Sequence, residues 1–205
     1  MKNWKISIII VSHNATNFLS EAYESAKSQT FPAYEILVIG DSDHKLITHN
    51  IGDVGMHKKF NYGAKIAKGN ALIHLCEDDK LAPDFIEKTY LYLNSYDIVY
   101  TDMHRFGNLN EDIGAMDWTL ENMKISTVPF ITSLIKKEMW KKVGGYAPDF
   151  GGYGDWDFWW SCMEKGATAK HIKEPLFHYR ISDTQASNTT NDHYNLRLNT
   201  LKKHQ

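Results

Sequence analysis

Cysteine is scarce in this sequence: Cys76 and Cys162 are the two thiols among 205 residues. Both lie among apolar neighbours typical of buried strands and helices, which favours unpaired thiols in a reducing compartment over a disulfide framework. The ten histidines show no His-x-x-x-His spacing, and no Cys-x-x-Cys pair occurs, so a zinc site is not indicated. We therefore expect a cytoplasmic protein.

Long apolar runs and long basic runs are also missing. The longest apolar stretch surrounds Ile8 to Val11 and is too short to cross a bilayer, and the N-terminus lacks a signal-peptide layout. The 23 basic and 25 acidic side chains give a net charge of -2, without the basic footprint that nucleic-acid binding needs. With 42% hydrophobic residues, the chain is expected to form one soluble domain.

Glycine-rich phosphate loops are absent too. Neither a P-loop nor a G-x-G-x-x-G pattern occurs, which argues against kinases of the P-loop type and against dehydrogenases. A nucleotidyltransferase would also pair carboxylates with a metal on an α/β sheet. Its basic, glycine-rich loop is not found after the first predicted strand, where "SHNATN" stands.

The sequence does contain an alternation of strand-like and helix-like segments, which predicts an α/β fold with a mostly parallel open sheet flanked by helices. Strands covered on both faces are expected to be continuously apolar, as these are. The first half predicts strands at 5–11, 34–39, 71–75 and 96–101, with a helix around Phe18 to Ala26, a helix through Phe60 and Ala64 that Gly69 would cap, and a helix at 82–93. The second half predicts a loop after residue 102, a strand at 128–137, a short helix at 137–143 and a glycine-rich segment at 144–154.

Three consecutive acids follow the strand at 71–75. Glu77, Asp78 and Asp79 stand at the carboxyl end of a central strand, where open α/β sheets place their ligands. Carboxylates suit a hard divalent cation, and Mg²⁺ or Mn²⁺ in turn suits a diphosphate. Acidic turns are common at strand ends, so on spacing alone a solvated turn explains these residues equally well.

Four segments in a fixed order resemble the family-2 glycosyltransferases, inverting enzymes of the GT-A fold with nucleotide-sugar donors. "ISIIIVSHNATNFLSEAYESAKSQTFPAYEILVIGDSD" is similar to the family's first strand, helix and second strand, and "FNYGAKIAKGNALIHLCEDDKLAPDFIEK" to its asparagine-bearing helix and acidic metal motif. "KKEMWKKVGGYAPDFGGYGDWDFWWSCMEKG" is similar to its "vGGf" turn and late helix, and "EPLFHYRISDTQAS" to its closing strand. The resemblance covers most of residues 5 to 187.

The resemblance implies roles for four residues in donor binding. Asp41 matches the second acid of the family's uracil-binding "VDD" motif, whose first acid is replaced here by Gly40. His13 matches the aromatic residue that packs on the base. Asn61 matches the helix asparagine, and Glu77 stands near the expected ribose.

The resemblance also implies a metal site with Asp78 and Asp79 as ligands of Mn²⁺ or Mg²⁺. The register is open by one residue, since "LCEDDKL" also aligns with the common "LDADDIL". In that alignment Cys76 replaces the first aspartate, and Glu77 or Asp79 could substitute for it. Metal affinity, rather than the fold, is what this difference affects.

The predicted catalytic base is Asp155, in "GYGDWDFWW". In the family, an acid at the start of a late helix deprotonates the acceptor hydroxyl. A carboxylate beside a helix N-terminus stays ionised, and nearby glycines leave room for a substrate. The alternative is that Asp155 only caps the helix, in which case Asp157 is the second candidate for the base.

Other conspicuous residues have simpler explanations. Trp156, Trp159 and Trp160 could stack on acceptor sugars, but aromatic clusters on helices are more often core, and at least one is expected to be buried. Lys58 and Lys59 could reach donor phosphates, but a solvated helix face is the expectation.

The expected protein is thus a single GT-A domain over residues 1–205, with 1–102 as the nucleotide-sugar-binding half and 103–205 as the acceptor and catalytic half. Its partners would be a UDP-sugar and a glycan or other hydroxyl acceptor. Two alternatives are open: a nucleotide-sugar or glycan binding module without turnover, and one domain of a larger multi-domain glycosyltransferase.

Overall fold

The computed structural model describes residues 3–147, 153–183 and 193–204. The strands are β1 (Ile6–Val11), β2 (Glu35–Gly40), β3 (His49–Asn50), β4 (Ala71–Cys76), β5 (Lys80–Leu81), β6 (Ile98–Gly107), β7 (Glu111–Ile113), β8 (Leu134–Lys136) and β9 (Ala169–Ile181). The α-helices are α1 (Leu19–Lys27), α2 (Met56–Ile66), α3 (Phe85–Thr89), α4 (Leu120–Ile125), α5 (Lys137–Val143), α6 (Gly154–Glu164) and α7 (His193–Lys203), and a 3₁₀ turn (Tyr90–Asn94) follows α3.

The described strands form one sheet in the spatial order β3-β2-β1-β4-β8-β6-β9-β5, with β7 paired to β6. β1 pairs in parallel with β2 and β4, and β6 pairs in parallel with β9 over most of its length. The short strands β8, β5 and β7 pair antiparallel to their neighbours. The prediction of an α/β fold with a mostly parallel sheet is confirmed.

Both faces of the sheet are covered, as β1 shows residue by residue. Ile9 and Val11 point into a core formed with α2, α5 and α6, whereas Ile8 and Ile10 point into a second core under α1 and α3. Alternate residues of a strand face opposite sides, so a strand buried on both sides must be apolar at every position. This explains the continuous run that predicted the strand.

Two boundaries differ from the prediction in the second half of the chain. The strand expected at 128–137 is reduced to Leu134–Lys136, and the segment before it contains Pro129, which cannot donate to a strand ladder. The strand expected to end at residue 101 continues to Gly107, since β7 and β9 pair with its polar outer half. The first difference thus has a local cause, whereas the second depends on partners distant in sequence.

Gly69 does not cap α2, which ends at Ile66 with Ala67 at its C-cap. A Cβ at Gly69 would lie 2.5 Å from the carbonyl oxygen of Lys5, so the backbone approaches β1 too closely for any side chain. Gly69 is therefore required by packing against the start of β1.

The topology brings distant segments together at one edge of the sheet. The carboxyl ends of the parallel strands β1, β2 and β4 lie side by side there. β5, directly after the acidic turn, pairs antiparallel with β9 at Lys80–His178 and Leu81–Phe177. The acidic turn is thus bounded by the first and the last strands of the chain.

The helices within the described ranges do not combine the length and hydropathy that crossing a bilayer requires.

Candidate active site

Asp41, directly after β2, lies at the centre of a buried polar cluster. Its carboxylate accepts hydrogen bonds from Lys59 Nζ at 2.6 Å and from the Asn14 amide at 2.7 Å. His13 Nδ1 lies 2.8 Å from the same carboxylate. Burial opposes ionisation of Asp41, but the hydrogen bonds from Lys59, Asn14 and His13 outweigh it and lower its pKa to about 2.

Lys59 contradicts the expectation of a solvated helix face. Its side chain is 2% exposed and donates to the Ser12 carbonyl at 2.8 Å as well as to Asp41. Lys58, its neighbour on α2, is exposed as expected. The sequence offers no signal that separates these adjacent lysines, because the partner of Lys59 stands on another strand.

His13 lies at the open side of this cluster. Its side chain is 62% exposed, while its ring is fixed by Asp41 beneath it. The turn that follows has positive φ at Asn14 (58°) and Ala15 (47°), a conformation that costs energy for residues other than glycine. A ring that is both fixed and accessible can stack on a planar ligand.

Glu77 holds this strained turn in place. Its carboxylate accepts hydrogen bonds from Ser12 Oγ at 2.7 Å, from the His13 amide at 2.8 Å and from the Thr16 amide at 3.1 Å. Both oxygens are thereby engaged with the loop after β1. Glu77 orients His13, and its predicted contact with a ribose stays a prediction.

Asp79 faces the other side of the acidic turn, toward β9. The Arg180 amide donates to Asp79 Oδ1 at 2.9 Å, and Arg180 Nε donates to the Asp78 carbonyl at 2.8 Å. The Arg180 guanidinium also bonds Glu21 at 2.9 Å and stacks on Phe18. Sequence reasoning missed Arg180, since its contacts depend on the pairing of β5 with β9.

The turn offers a group of cation ligands. One ligand atom each from Cys76, Asp78 and Asp79 lies within 4.8 Å of the others. Asp79 is 1% exposed, and its Oδ2 has no hydrogen-bond partner among the described residues. Burial raises the pKa of Asp78, and burial together with the charge of Asp78 raises the pKa of Asp79, although the charge of Arg180 acts in the opposite direction on both carboxyls. This donor set fits a divalent cation.

Asp155 lies in the first turn of α6. The N-cap position belongs to Tyr153, so Asp155 is not the helix cap, although its Oδ1 accepts from the Trp156 amide at 2.8 Å. The preceding residue, Gly154, leaves no room for a side chain, because the His57 ring packs against it and a Cβ at this position would lie 2.3 Å from His57 Cε1. Glycines 151 and 152, also expected to leave room beside Asp155, lie outside the described residues.

Burial raises the pKa of Asp155 to about 6, against the hydrogen bond from Trp156. The residue as a whole is nevertheless partly accessible. The Cys76 thiol has its pKa raised by burial first, and then by the charges of Asp79, Asp78 and Asp155. The charge of Asp155 therefore acts on the Cys76 thiol beside the acidic turn, although more than 70 residues separate the two in sequence.

Asn61 has a structural role in the described contacts. Its Nδ2 donates to the Tyr146 carbonyl at 2.7 Å, and its Oδ1 accepts from the Tyr146 amide at 2.9 Å. This amide clamp fixes the Gly144–Gly145 turn, where both glycines have positive φ. Its predicted contact with the donor is untested.

Asp157, the second candidate for the base, does not fit that role. It is 2% exposed and forms hydrogen bonds with Lys203 Nζ at 2.7 Å and with His204 Nε2 at 3.0 Å. Asp157 therefore fastens α7 to α6.

Trp156, Trp159 and Trp160 are all buried, which confirms the core reading and leaves none of them to stack on an acceptor.

Residues 7–153 match the model of Glycosyl transferase family 2. This chain belongs to that family. The uncharacterized glycosyltransferase RT0329 of Rickettsia typhi is 28% identical over 211 residues, which cover 90% of this chain and 66% of that relative. WbnJ of Escherichia coli, an O-antigen biosynthesis glycosyltransferase, is 22% identical over 217 residues, covering 92% of this chain and 84% of WbnJ.

Solved structures show the same fold. S. aureus TarS 1-349 in complex with UDP-GlcNAc superposes with a TM-score of 0.74 at 14% identity, over 90% of this chain and 61% of that one. The mannosyltransferase PcManGT of Pyrobaculum calidifontis, in complex with GDP-Man and Mn²⁺, gives a TM-score of 0.68 at 12% identity, over 89% of this chain and 59% of that one. The family-2 resemblance and the GT-A fold expected from the sequence are both confirmed.

Proposed function

We propose that this chain is a metal-dependent, inverting glycosyltransferase that moves a hexose from a UDP-sugar to a hydroxyl group of a glycan acceptor. The observation that carries the proposal is the group formed by Cys76, Asp78 and Asp79 after β4, whose ligand atoms lie within 4.8 Å of one another, together with Asp155 in the first turn of α6. A base and a cation site on either side of one space are what a single displacement at a sugar carbon requires.

The donor's base would lie against His13 and Asp41. The His13 ring provides an accessible face for stacking, and Asp41 offers carboxylate oxygens that can accept from a uracil N–H. TarS is seen with UDP-GlcNAc, which supports uridine as the base.

Asp78 and Asp79 would hold the cation against the donor's diphosphate. Bound Mn²⁺ or Mg²⁺ supplies stabilisation of the negative charge that develops on the leaving group. The free Oδ2 of Asp79 gives a buried oxygen for this purpose. PcManGT, with the same fold, is seen with Mn²⁺.

Asp155 would accept the proton of the acceptor hydroxyl. The acceptor oxygen then bonds the anomeric carbon from one face, while the bond from that carbon to the diphosphate oxygen breaks on the other. A single displacement inverts the configuration. A base with a pKa of about 6 is largely ionised at pH 7 and still basic enough to take a proton in the transition state. WbnJ, named for O-antigen biosynthesis, supports a glycan acceptor.

Calorimetric titration with UDP, with and without Mn²⁺, and UDP release from a panel of UDP-hexoses test the proposal. We expect metal-dependent binding that is lost in Asp78→Ala and retained in Asp155→Asn, together with UDP release that Asp155→Asn abolishes. Glu24→Gln, an exposed carboxylate on α1, is the matched control and should behave as wild type. Binding without turnover across the panel would favour a nucleotide-sugar binding module, for which the cysteine at position 76 is the supporting observation. Absence of UDP binding would refute both.

A further inference from the structure

Two sulfur atoms lie at the edge of the acidic turn. Cys76 ends β4 directly before the acids, and its Sγ lies 3.7 Å from Sδ of Met56, the first residue of α2. The same Sγ lies within 4.8 Å of a carboxylate oxygen of Asp78 and one of Asp79. The group of candidate cation ligands therefore includes a sulfur atom, which the aspartates of the family motif would not supply.

The free oxygen of Asp79 indicates that this group is built for a ligand. The side chain is 1% exposed, Oδ1 is used by the Arg180 amide, and Oδ2 has no partner among the described residues. A buried carboxylate oxygen without a partner costs free energy unless a cation or donor satisfies it. Cys76, Asp78 and Asp79 thus form more than an exposed acidic patch.

We propose that this cation site is a mixed sulfur–oxygen site in which Cys76 is a ligand, so that it ranks Co²⁺, Zn²⁺ and Mn²⁺ above Mg²⁺. Thiolate and thioether ligands select softer cations, whereas Mg²⁺ demands oxygen ligands and dehydrates reluctantly. On coordination the Cys76 S–H bond breaks, a sulfur–metal bond forms, and one proton passes to solvent. The inference rests on the proposed function, because it concerns the cation that would hold the donor.

Co²⁺ titration followed by absorbance gives a readout independent of turnover, because a cobalt–thiolate bond produces a charge-transfer band in the near ultraviolet. The chain has two cysteines, and Cys162 is buried in α6, so it is the matched control. We expect the band in wild type and in Cys162→Ser, and its loss in Cys76→Ser. Loss of one ligand should weaken Co²⁺ binding by at least about 10- to 100-fold.

Cys76→Asp provides the reverse test, since it restores a carboxylate. We expect this variant to lose the cobalt band, to bind Mg²⁺ more tightly than wild type, and to show a smaller preference for Co²⁺ over Mg²⁺ than wild type in competition titrations. Thermal unfolding of each variant identifies any that has lost its fold.

The outcomes separate this inference from the proposed function. Metal-dependent UDP binding without a cobalt–thiolate band in wild type would overturn the sulfur ligand and leave the glycosyltransferase proposal standing. A cobalt–thiolate band that survives Cys76→Ser would also overturn Cys76 as the sulfur ligand. A band that depends on Cys76, in a protein that binds no UDP with any cation, would support the mixed site and refute the proposed function.

Discussion

Lys59→Met is expected to destabilise the fold strongly, although lysine is usually a surface residue. Lys59 and Asp41 form an ion pair at 2.6 Å with side chains 2% and 4% exposed. Replacing the ammonium by an apolar side chain of similar length leaves the Asp41 carboxylate buried, with the Asn14 amide and His13 as its remaining partners. An uncompensated buried charge is among the largest single-residue penalties in proteins.

The expected loss is about 3 kcal/mol in the free energy of unfolding. The pKa of Asp41 is about 2 in the folded protein against an ordinary 3.8, and this difference, to which Lys59, Asn14 and His13 all contribute, corresponds to roughly 2 kcal/mol of stabilisation at neutral pH. Breaking buried pairs costs about 3–5 kcal/mol. For a chain of this length, a loss of 3 kcal/mol lowers the Tm by about 6–12 °C.

The pH dependence has a definite sign. Because the pKa of Asp41 is lowered in the folded state, the stabilisation that ionised Asp41 adds to the fold is fully present above about pH 4 and is lost as the pH falls toward 2. In Lys59→Met the pKa of the Asp41 carboxyl should rise above its ordinary range. The carboxyl then binds a proton as the pH falls, and the free-energy cost of an unpaired buried charge disappears. The stability difference between wild type and Lys59→Met should therefore be full at pH 7 and shrink in acid.

Urea unfolding and thermal scans at pH 7 and pH 4 measure this, with Lys58→Met as the matched control. Lys58 is the exposed neighbour on the same helix, and its replacement should cost less than about 0.5 kcal/mol. The double variant Lys59→Met/Asp41→Asn should recover at least about 1 kcal/mol relative to Lys59→Met, because it removes the stranded charge. A loss no larger than that of Lys58→Met, or a difference that grows in acid, would refute the reasoning.

Three further predictions follow from other contacts. His204→Gln should lower the Tm more at pH 6 than at pH 9, because burial opposes protonation of His204 but its hydrogen bonds with Asp157 and Glu164 outweigh burial and raise its pKa in the folded state, and the stabilisation is lost as pH rises through that value; an equal loss at both pH values would contradict this. Asn61→Ala should cost about 2 kcal/mol in urea unfolding, since it removes both hydrogen bonds to Tyr146; a loss below about 0.5 kcal/mol would show that the clamp is unimportant. If Asp155 is the base, log kcat/KM should rise with pH up to about 6 and level off above it, whereas a pH-independent rate would exclude it.

Much of the fold could be predicted because its signals are local. Strand β1 is buried at every position and β2 over its last three residues, and the spacing of Ala22 and Ala26 marks one face of a helix. The strand β8 was predicted too long, and the outer half of β6 could not be predicted, because its strand character depends on pairing with segments distant in the chain. The site divides in the same way. Acids at strand ends are visible in the sequence, whereas the partners that give them their charge state are not.

Lys59 and Arg180 illustrate this limit. Both are single basic residues in ordinary-looking segments, and each acquires its role from a partner supplied by another element. Asn61 shows the converse. Its position in the family motif implied a ligand contact, but the described contacts are with the Tyr146 backbone.

The three adjacent acids tolerate one another because they point to different partners. Glu77 turns to the loop after β1, where three donors satisfy it, and Asp79 turns to the Arg180 amide on β9. The Asp78 carboxylate accepts no hydrogen bond from another described residue, and Oδ2 of Asp79 is likewise free. Hydrogen bonds that shape the turn therefore occupy both carboxylate oxygens of Glu77 and one oxygen of Asp79. The Asp78 carboxylate and Oδ2 of Asp79 are left beside the Cys76 sulfur as the ligand atoms for a bound cation.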